Sequence, residues 1–344
     1  MKAGVLESMG TVVVREVDRP ACPGRGALLR VRACAICGSD LRTFRYGHRA
    51  VQLPHVLGHE IAGTVVESGG REDLEEGIQV TLCPAVSCGV CANCRAGRFN
   101  RCDRLIALGE DIPGGFAEYV AIPPRLIDAG YLVPVPSHVC PEHAALAEPL
   151  GCVLNGQELL DVTLGDTMAV IGLGAIGCMH VAVARKRGVR QIIAVDISPT
   201  RLDIARGFQA DVYVNAAQED PVGIVDRATG GRGVDVVVVA CPSGEAQKQA
   251  LNMAAKGGRV SFFGGLPHRD SQVSLDTNLI HYGELRVVGA FGSLPVHIVR
   301  AVDLIATGAI PVDQLATHVF PLDDIARAFQ VAASEDSLRV VVSP

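Results

Sequence analysis

Cys88, Cys91, Cys94 and Cys102 stand in a C-x2-C-x2-C-x7-C run, which brings four thiols to one focus within about fifteen residues. Thiolates so spaced suit a tetrahedral S4 zinc site. Disulfides are the weaker reading, because pairs three residues apart close tiny loops and constrain little of the unfolded chain. An iron–sulfur reading fails on spacing, since the bacterial ferredoxin run has a shorter last interval and a proline after its fourth cysteine. Four thiolates fill the coordination sphere of zinc and leave no position for a substrate. The run therefore indicates a structural metal, and any chemistry belongs elsewhere.

A second motif is Val170-Ile171-Gly172-Leu173-Gly174-Ala175-Ile176-Gly177, a G-x-G-x-x-G run between a strand pattern and a helix pattern. Gly172 permits the tight turn, Gly174 lets a pyrophosphate approach the backbone, and Gly177 allows close helix–strand packing. Ala175 and Ile176 open the helix, whose unpaired N–H groups and positive dipole end suit phosphate. The motif alone is weak, but the next strand ends in Asp196, placed to accept from both adenosine ribose hydroxyls. A carboxylate there repels a 2′-phosphate and favours NAD over NADP. Arg201 either flanks the adenosine or is a solvated helix charge.

A closed metal beside a dinucleotide motif directs attention to open-site ligands. Cys37 lies in Cys37-Gly38-Ser39-Asp40, His59 and Glu60 in Gly58-His59-Glu60, and Glu148 in Glu148-Pro149-Leu150. Thiolate, imidazole and carboxylate are each good zinc ligands, and three of them leave room for water or an alcohol oxygen. Taken singly, a buried Cys is usually a small hydrophobe and a His is usually structural.

The elements that must position these residues follow from patterning. A chain of 344 residues accommodates two domains, and 49% hydrophobic with 20% charged residues matches a well-buried α/β protein. The first 150 residues read as short strands, Thr11–Val17, Ala27–Ala33, Ile61–Glu67 and Phe116–Ile122, broken by glycine and proline. A helix starts near Pro141. From Thr167 strand and helix alternate: Thr167–Ile171, Ala175–Arg187, Gln191–Asp196, Pro199–Arg206 capped by Ser198, then strands Asp211–Val214, Val234–Ala240 and Arg259–Phe263. Such alternation implies crossovers and a doubly wound parallel sheet. The segment from Gly289 carries two helices and a last strand, Leu338–Val342, and returns to the first domain. The expected division is 1–154 with 289–344, and 155–288.

In this order, Cys37-Gly38-Ser39-Asp40, Gly58-His59-Glu60, the four-cysteine lobe, Glu148-Pro149-Leu150, Gly172–Gly177 and Asp196, the whole chain resembles the medium-chain zinc-dependent dehydrogenases. The branch resembled is that of sorbitol and L-threonine dehydrogenases. The resemblance implies a mainly β, GroES-like catalytic domain joined to a Rossmann-type NAD domain, with two Zn2+ per chain, one catalytic and one structural. It places the catalytic zinc on Cys37, His59 and either Glu60 or Glu148, and assigns Ser39 to the substrate hydroxyl. Alcohol dehydrogenases proper carry a second cysteine where this chain has Glu148. Many relatives carry a relay histidine three residues after the Ser or Thr; here that position is Arg42, which stays charged and is no ordinary base. His48 and His55 read as structural.

The expected reaction is oxidation of a secondary alcohol of a polyol, cyclitol, sugar or sugar acid to a ketone, with hydride passing to NAD. L-Threonine 3-dehydrogenase and polyol-phosphate dehydrogenase are the alternatives, and a non-catalytic cofactor-binding protein is a remote one. The basic run Arg42–Arg49 is either a solvated loop or an anion-recognition surface. Asn155 leans toward the polyol branch. A net charge of −6 with mixed signs points to neither nucleic acid nor membrane as partner. Twelve cysteines without an export signal indicate a reducing cytoplasm. The family resemblance further implies a homodimer or homotetramer joined along Arg286–Phe291.

Overall fold

The computed structural model describes residues 1–267 and 270–344. Two compact units result, Met1–Gly151 with Gly292–Pro344, and Cys152–Phe291. The second is three residues longer at each end than the expected 155–288. The chain crosses between them inside the helix Ala147–Leu159. Among the described residues no helix is long and apolar enough to cross a membrane.

The second unit is a six-stranded parallel sheet in the spatial order Val212–Asn215, Gln191–Asp196, Thr167–Ile171, Val234–Val239, Ala254–Phe262 and Arg286–Gly289. Apart from Met168 and Asp235, the two inner strands are runs of β-branched and small apolar residues, as a sheet covered on both faces requires. Succession runs outward in both directions from Thr167–Ile171, so the order reverses between that strand and Val234–Val239. At such a switch point the loops after the strands diverge and open a crevice at their carboxyl ends. Gly172 follows the first of these strands and Cys241 the second.

One core residue of this unit is a titratable liability. His180, wholly buried on the helix Ala175–Lys186, stacks edge-on against Phe263 at 4.7 Å. Burial lowers its pKa from 6.5 to about 3. Between those values the unfolded chain takes up a proton that the folded chain refuses, so stability falls as pH drops through that window. The full shift corresponds to about 4–5 kcal/mol. Chemical denaturation of His180→Leu should show a smaller loss of stability between pH 6.5 and 4 than the unsubstituted chain; equal losses would remove His180 as the cause.

The first unit holds a seven-stranded sheet, in the order Leu132–Pro134, Gln79–Leu82, Glu60–Glu67, Ala27–Ala35, Arg339–Ser343 and Ala316–Pro321, with Tyr119–Ile122 also on Ala27–Ala35. Register places Ala35 opposite Glu60 on one side and opposite Val341 on the other. Side chains alternate faces along a strand, so Arg339, two residues before Val341, shares the face of Glu60.

Two local expectations are corrected. Phe116–Glu118 lies outside the strand Tyr119–Ile122, because Phe116 is committed to packing on Phe329, with ring centroids 5.6 Å apart. The C-terminal segment has three helices, Pro295–Ala306, Val312–Leu315 and Ile325–Ala332, and an extra strand, Ala316–Pro321. That strand is a half-exposed edge ending in proline, which leaves little apolar alternation to read.

Candidate functional site

Cys37 caps the helix Gly38–Tyr46 just past the end of the strand Ala27–Ala35, and His59 immediately precedes Glu60, which opens the neighbouring strand Glu60–Glu67. Pairing of these strands brings the Cys37 sulfur, a His59 ring nitrogen and a Glu60 oxygen within 4.8 Å of one another. Gly58 has φ +92°, and a Cβ there would sit 2.7 Å from the Cys34 sulfur, so only glycine delivers His59 to this point. Asp40, one turn into the helix and 3% exposed, braces the set. It accepts the Cys37 N–H at 2.8 Å and the Gly58 N–H at 3.3 Å, and lies 3.5 Å from His59 Nδ1. A carboxylate behind a ligating imidazole fixes its tautomer and leaves the other nitrogen for a metal. Ser39 Oγ is 3.4 Å from His59 Nε2.

The electrostatics are those of a crowded, dry donor set. Burial opposes the Cys37 thiolate, but His59 and then Arg339 more than offset it, and the thiol falls to about 7. Burial likewise opposes charge on His59, yet Asp40 and Cys37 carry its pKa well above the usual imidazole value. At Glu60 burial dominates and holds the carboxyl well above the carboxylate range, against the pull of Arg339. An Arg339 nitrogen stands 2.9 Å from Glu60 Oε1 at an angle that makes a charge contact and no hydrogen bond. Both buried Glu60 oxygens therefore lack a donor. Soft thiolate, imidazole and an unsatisfied carboxylate fit a zinc ion with one position left open.

Glu148, 7% exposed in the helix Ala147–Leu159, stays outside this three-residue donor set. Its charge is nonetheless felt at Glu60, Cys83 and Arg339. Sequence reasoning gave no role to Asp40 or Arg339. Asp40 was readable as the third helical residue after a cap, where an acidic side chain reaches back to the cap amide. No local signal marks Arg339; strand register alone supplies it, and it donates to the Ile36 carbonyl at 3.1 Å.

Cys88, Cys91, Cys94 and Cys102 also converge, with all four sulfurs within 4.8 Å of one another. Cys91 Sγ lies 3.5 Å from Cys94 Sγ and 4.0 Å from Cys102 Sγ. These are too long for disulfides and close to the ~3.8 Å edge of a tetrahedron with ~2.3 Å zinc–sulfur bonds. Amides supply the surrounding donors: Cys88 N–H to Cys102 Sγ at 3.2 Å and Cys91 N–H to Cys88 Sγ at 3.4 Å. Backbone donors, chiefly around Val90 and Cys91, draw the Cys88 thiol down to about 6. The residues fit a closed structural zinc.

In the second unit Gly172 has φ +94°, and a Cβ there would come within 2.7 Å of Cys241. A Cβ on Gly177 would overlap the Gly172 carbonyl oxygen. Gly174 is the N-cap of the helix that Ala175, Ile176 and Gly177 open. Asp196 lies beneath this loop, accepting the Leu173 N–H at 2.6 Å and the Ser198 N–H at 2.9 Å. Each carboxylate oxygen keeps a lone pair for a ribose hydroxyl. The Arg201 guanidinium lies 3.1 Å from where a Gly174 Cβ would be, so its cation borders the phosphate loop. The geometry accepts a dinucleotide. A depression of about 500 Å³ lined by Arg190, Gln191, Asp211, Ala228, Thr229 and Arg232 lies at the opposite, amino ends of the strands, away from this loop.

A dinucleotide cradle and an open metal centre in one chain are the equipment of an oxidoreductase that moves hydride at an alcohol carbon. The chain belongs to the medium-chain zinc-dependent dehydrogenase family. Residues 24–137 match the alcohol dehydrogenase GroES-like domain and residues 175–307 the zinc-binding dehydrogenase domain. It is 32% identical to an L-threonine 3-dehydrogenase of Bacillus velezensis, over 100% of this chain and 99% of that one. A zinc-binding dehydrogenase of Sinorhizobium meliloti 1021, solved with NADP, superposes with a TM-score of 0.91 at 35% identity, covering 100% and 99% of the two chains. L-Idonate 5-dehydrogenase of Escherichia coli K-12 superposes with a TM-score of 0.88 at 25% identity, covering 100% and 98%.

Proposed function

We propose that this chain oxidises a secondary alcohol of a polyol, cyclitol, sugar or sugar acid to a ketone, with NAD as acceptor. The observation that carries the reading is the donor set of Cys37, His59 and Glu60, confined within 4.8 Å and one ligand short of a closed sphere. Bound zinc supplies Lewis acidity that lowers an alcohol's pKa, and bound NAD supplies the hydride acceptor. Cys37 and His59 hold the metal. Either Glu60 or Glu148 would complete the set as its third protein ligand, Glu60 being held back by Arg339. Ser39 Oγ hydrogen-bonds the reacting hydroxyl and takes the first step in removing its proton. Arg42 keeps its charge and cannot pass that proton on, so the route outward runs through other groups.

Gly172, Gly174 and Gly177 admit the pyrophosphate, Ala175 and Ile176 give it helix N–H groups, and Arg201 adds a cation. Asp196 holds the ribose hydroxyls and disfavours a 2′-phosphate, which selects NAD even though the S. meliloti relative was solved with NADP. L-Threonine 3-dehydrogenase is the second reading, favoured by the full-length match to the B. velezensis enzyme. Cysteines that are all free thiols suit a cytoplasmic protein. The edge strand Arg286–Gly289, followed by Phe291 at 69% exposure, suits a homodimer or homotetramer.

The test is NADH formation by the zinc-loaded chain over polyols, cyclitols, sugar acids, sugar phosphates and L-threonine, repeated with NADP. Turnover of a polyhydroxy alcohol with NAD preferred is expected. Activity with threonine alone selects the second reading, strict use of NADP removes the role given to Asp196, and no turnover across the panel sinks the enzyme.

A further inference from the structure

The helix Gly38–Tyr46 leads away from the metal donors and carries cations with nothing to answer them. Residues 41–59 contain no Asp or Glu, while Arg42, Arg45 and Arg49 are exposed. Among the described residues none of these three guanidinium groups has an ion pair or hydrogen bond. The one acid on the helix, Asp40, is buried and committed to the amides of Cys37 and Gly58. Arg15, Arg19 and Arg71 of the same unit, by contrast, are each paired with a carboxylate.

Position gives this imbalance a direction. Residues three apart on a helix are neighbours on one face, with ~5–6 Å between Cβ atoms, and each Cβ tilts toward the N-terminus. Arg42 therefore covers the turn that carries Ser39. An unpaired guanidinium there adds like charge beside a site built for a dication, and stabilises nothing in the free protein. A permanent planar cation near a reacting hydroxyl is suited to holding an anion by two parallel hydrogen bonds. Tyr46, four residues on and 60% exposed, continues the same face.

We propose that Arg42, with Arg45 behind it, recognises an anionic group on the substrate, so that the alcohol oxidised is a polyhydroxy chain bearing a carboxylate or a phosphate monoester. This rests on the reading of the chain as an alcohol dehydrogenase. Because the anion is held a helical turn from Ser39, the reacting hydroxyl lies several carbons from it, and short α-hydroxy acids such as lactate do not span the distance.

The experiment measures kcat/KM with NAD for matched series: aldonates, the alditols of the same configuration, and alditol phosphates. Anions should be favoured over the neutral alditol, and their KM should rise with ionic strength. A carboxylate preference and a phosphate preference both support the proposal and tell the two anions apart. In Arg42→Met the anion-to-alditol ratio of kcat/KM should fall roughly 10- to 100-fold, mostly through KM, and Arg42→Lys should recover part of it. An equal or better neutral alditol, or an unchanged ratio in Arg42→Met, overturns the proposal while leaving the dehydrogenase standing. If no compound is turned over, the dehydrogenase reading fails first. Thermal shift of the zinc-loaded chain then decides the matter: stabilisation by aldonate or alditol phosphate that Arg42→Met loses supports the anion site, and none overturns it.

Discussion

Cys94→Ser is expected to leave one zinc per chain instead of two and to open the lobe between Ser87 and Leu108 to trypsin. Little else holds that lobe. Its regular structure is one helical turn, Ala92–Arg95, one 3-10 turn, Phe99–Arg101, and two paired strands of two residues, Ala85–Val86 and Ile106–Ala107. In isolated zinc fingers the metal supplies about 10–16 kcal/mol of folding free energy at neutral pH. Cys94 is the more deeply buried of the two buried members, Cys94 and Cys102, with its sulfur 3.5 Å from Cys91. Serine offers a poorer donor on a shorter bond, so the remaining sulfurs lose their common centre. Arg95, Arg98, Arg101 and Arg104 are all exposed and become cleavable once the backbone loosens. Metal analysis and limited trypsinolysis check this; two zincs and an uncut lobe would refute it. Because the four-cysteine sphere is closed, activity should fall only as the lobe opens.

Arg339→Met should cost up to about 3–5 kcal/mol, the penalty for leaving one half of a buried ion pair behind, reduced by whatever Glu60 recovers on taking up a proton. Glu60 is fully buried with Cys37 and Glu148 as anionic neighbours, and Arg339 is the stronger of the two cations, ahead of His59, that oppose the effect of burial on its carboxyl. At roughly 2–4 °C per kcal/mol for a unit of this size, melting should drop on the order of 10 °C. Replacing both partners by uncharged side chains is often neutral, so Arg339→Met combined with Glu60→Gln should recover most of the loss. An additive double variant, or a single variant melting with the unsubstituted chain, would show that Arg339 merely fills space. The single variant should also bind zinc differently, since Glu60 is then free to swing fully onto the metal; chelator-driven zinc release measures this apart from turnover.

The sequence made legible whatever was written locally. A four-cysteine run within about fifteen residues, glycines set by turn geometry and an acid closing the next strand are short-range patterns, and the structure assembles each one in place. Cys37, His59 and Glu60 needed more, because two strands had to pair before their donors met. Arg339 was out of reach, being 303 residues from the Ile36 carbonyl it caps and carried by a strand that reads as apolar. Glu148 shows the opposite difficulty. Its context in Glu148-Pro149-Leu150 resembled a ligand position that alternates with Glu60, and its place outside the compact three-residue set is a spacing that residue order does not encode. The edge strand Ala316–Pro321 was missed because half-exposed strands lose the alternation that betrays them.

The strand Arg339–Ser343 lies between Ala27–Ala35 and Ala316–Pro321, with its first residue against Glu60. This fixes an order of events during synthesis. The unit Cys152–Phe291 is contiguous and contains its whole sheet, so it can fold while translation continues. The metal-bearing unit cannot close its sheet until residues 339–343 have been made. Until that strand is made, Cys37, His59 and Glu60 wait in an unfinished sheet, and the donor set gains its Arg339 contact only afterwards.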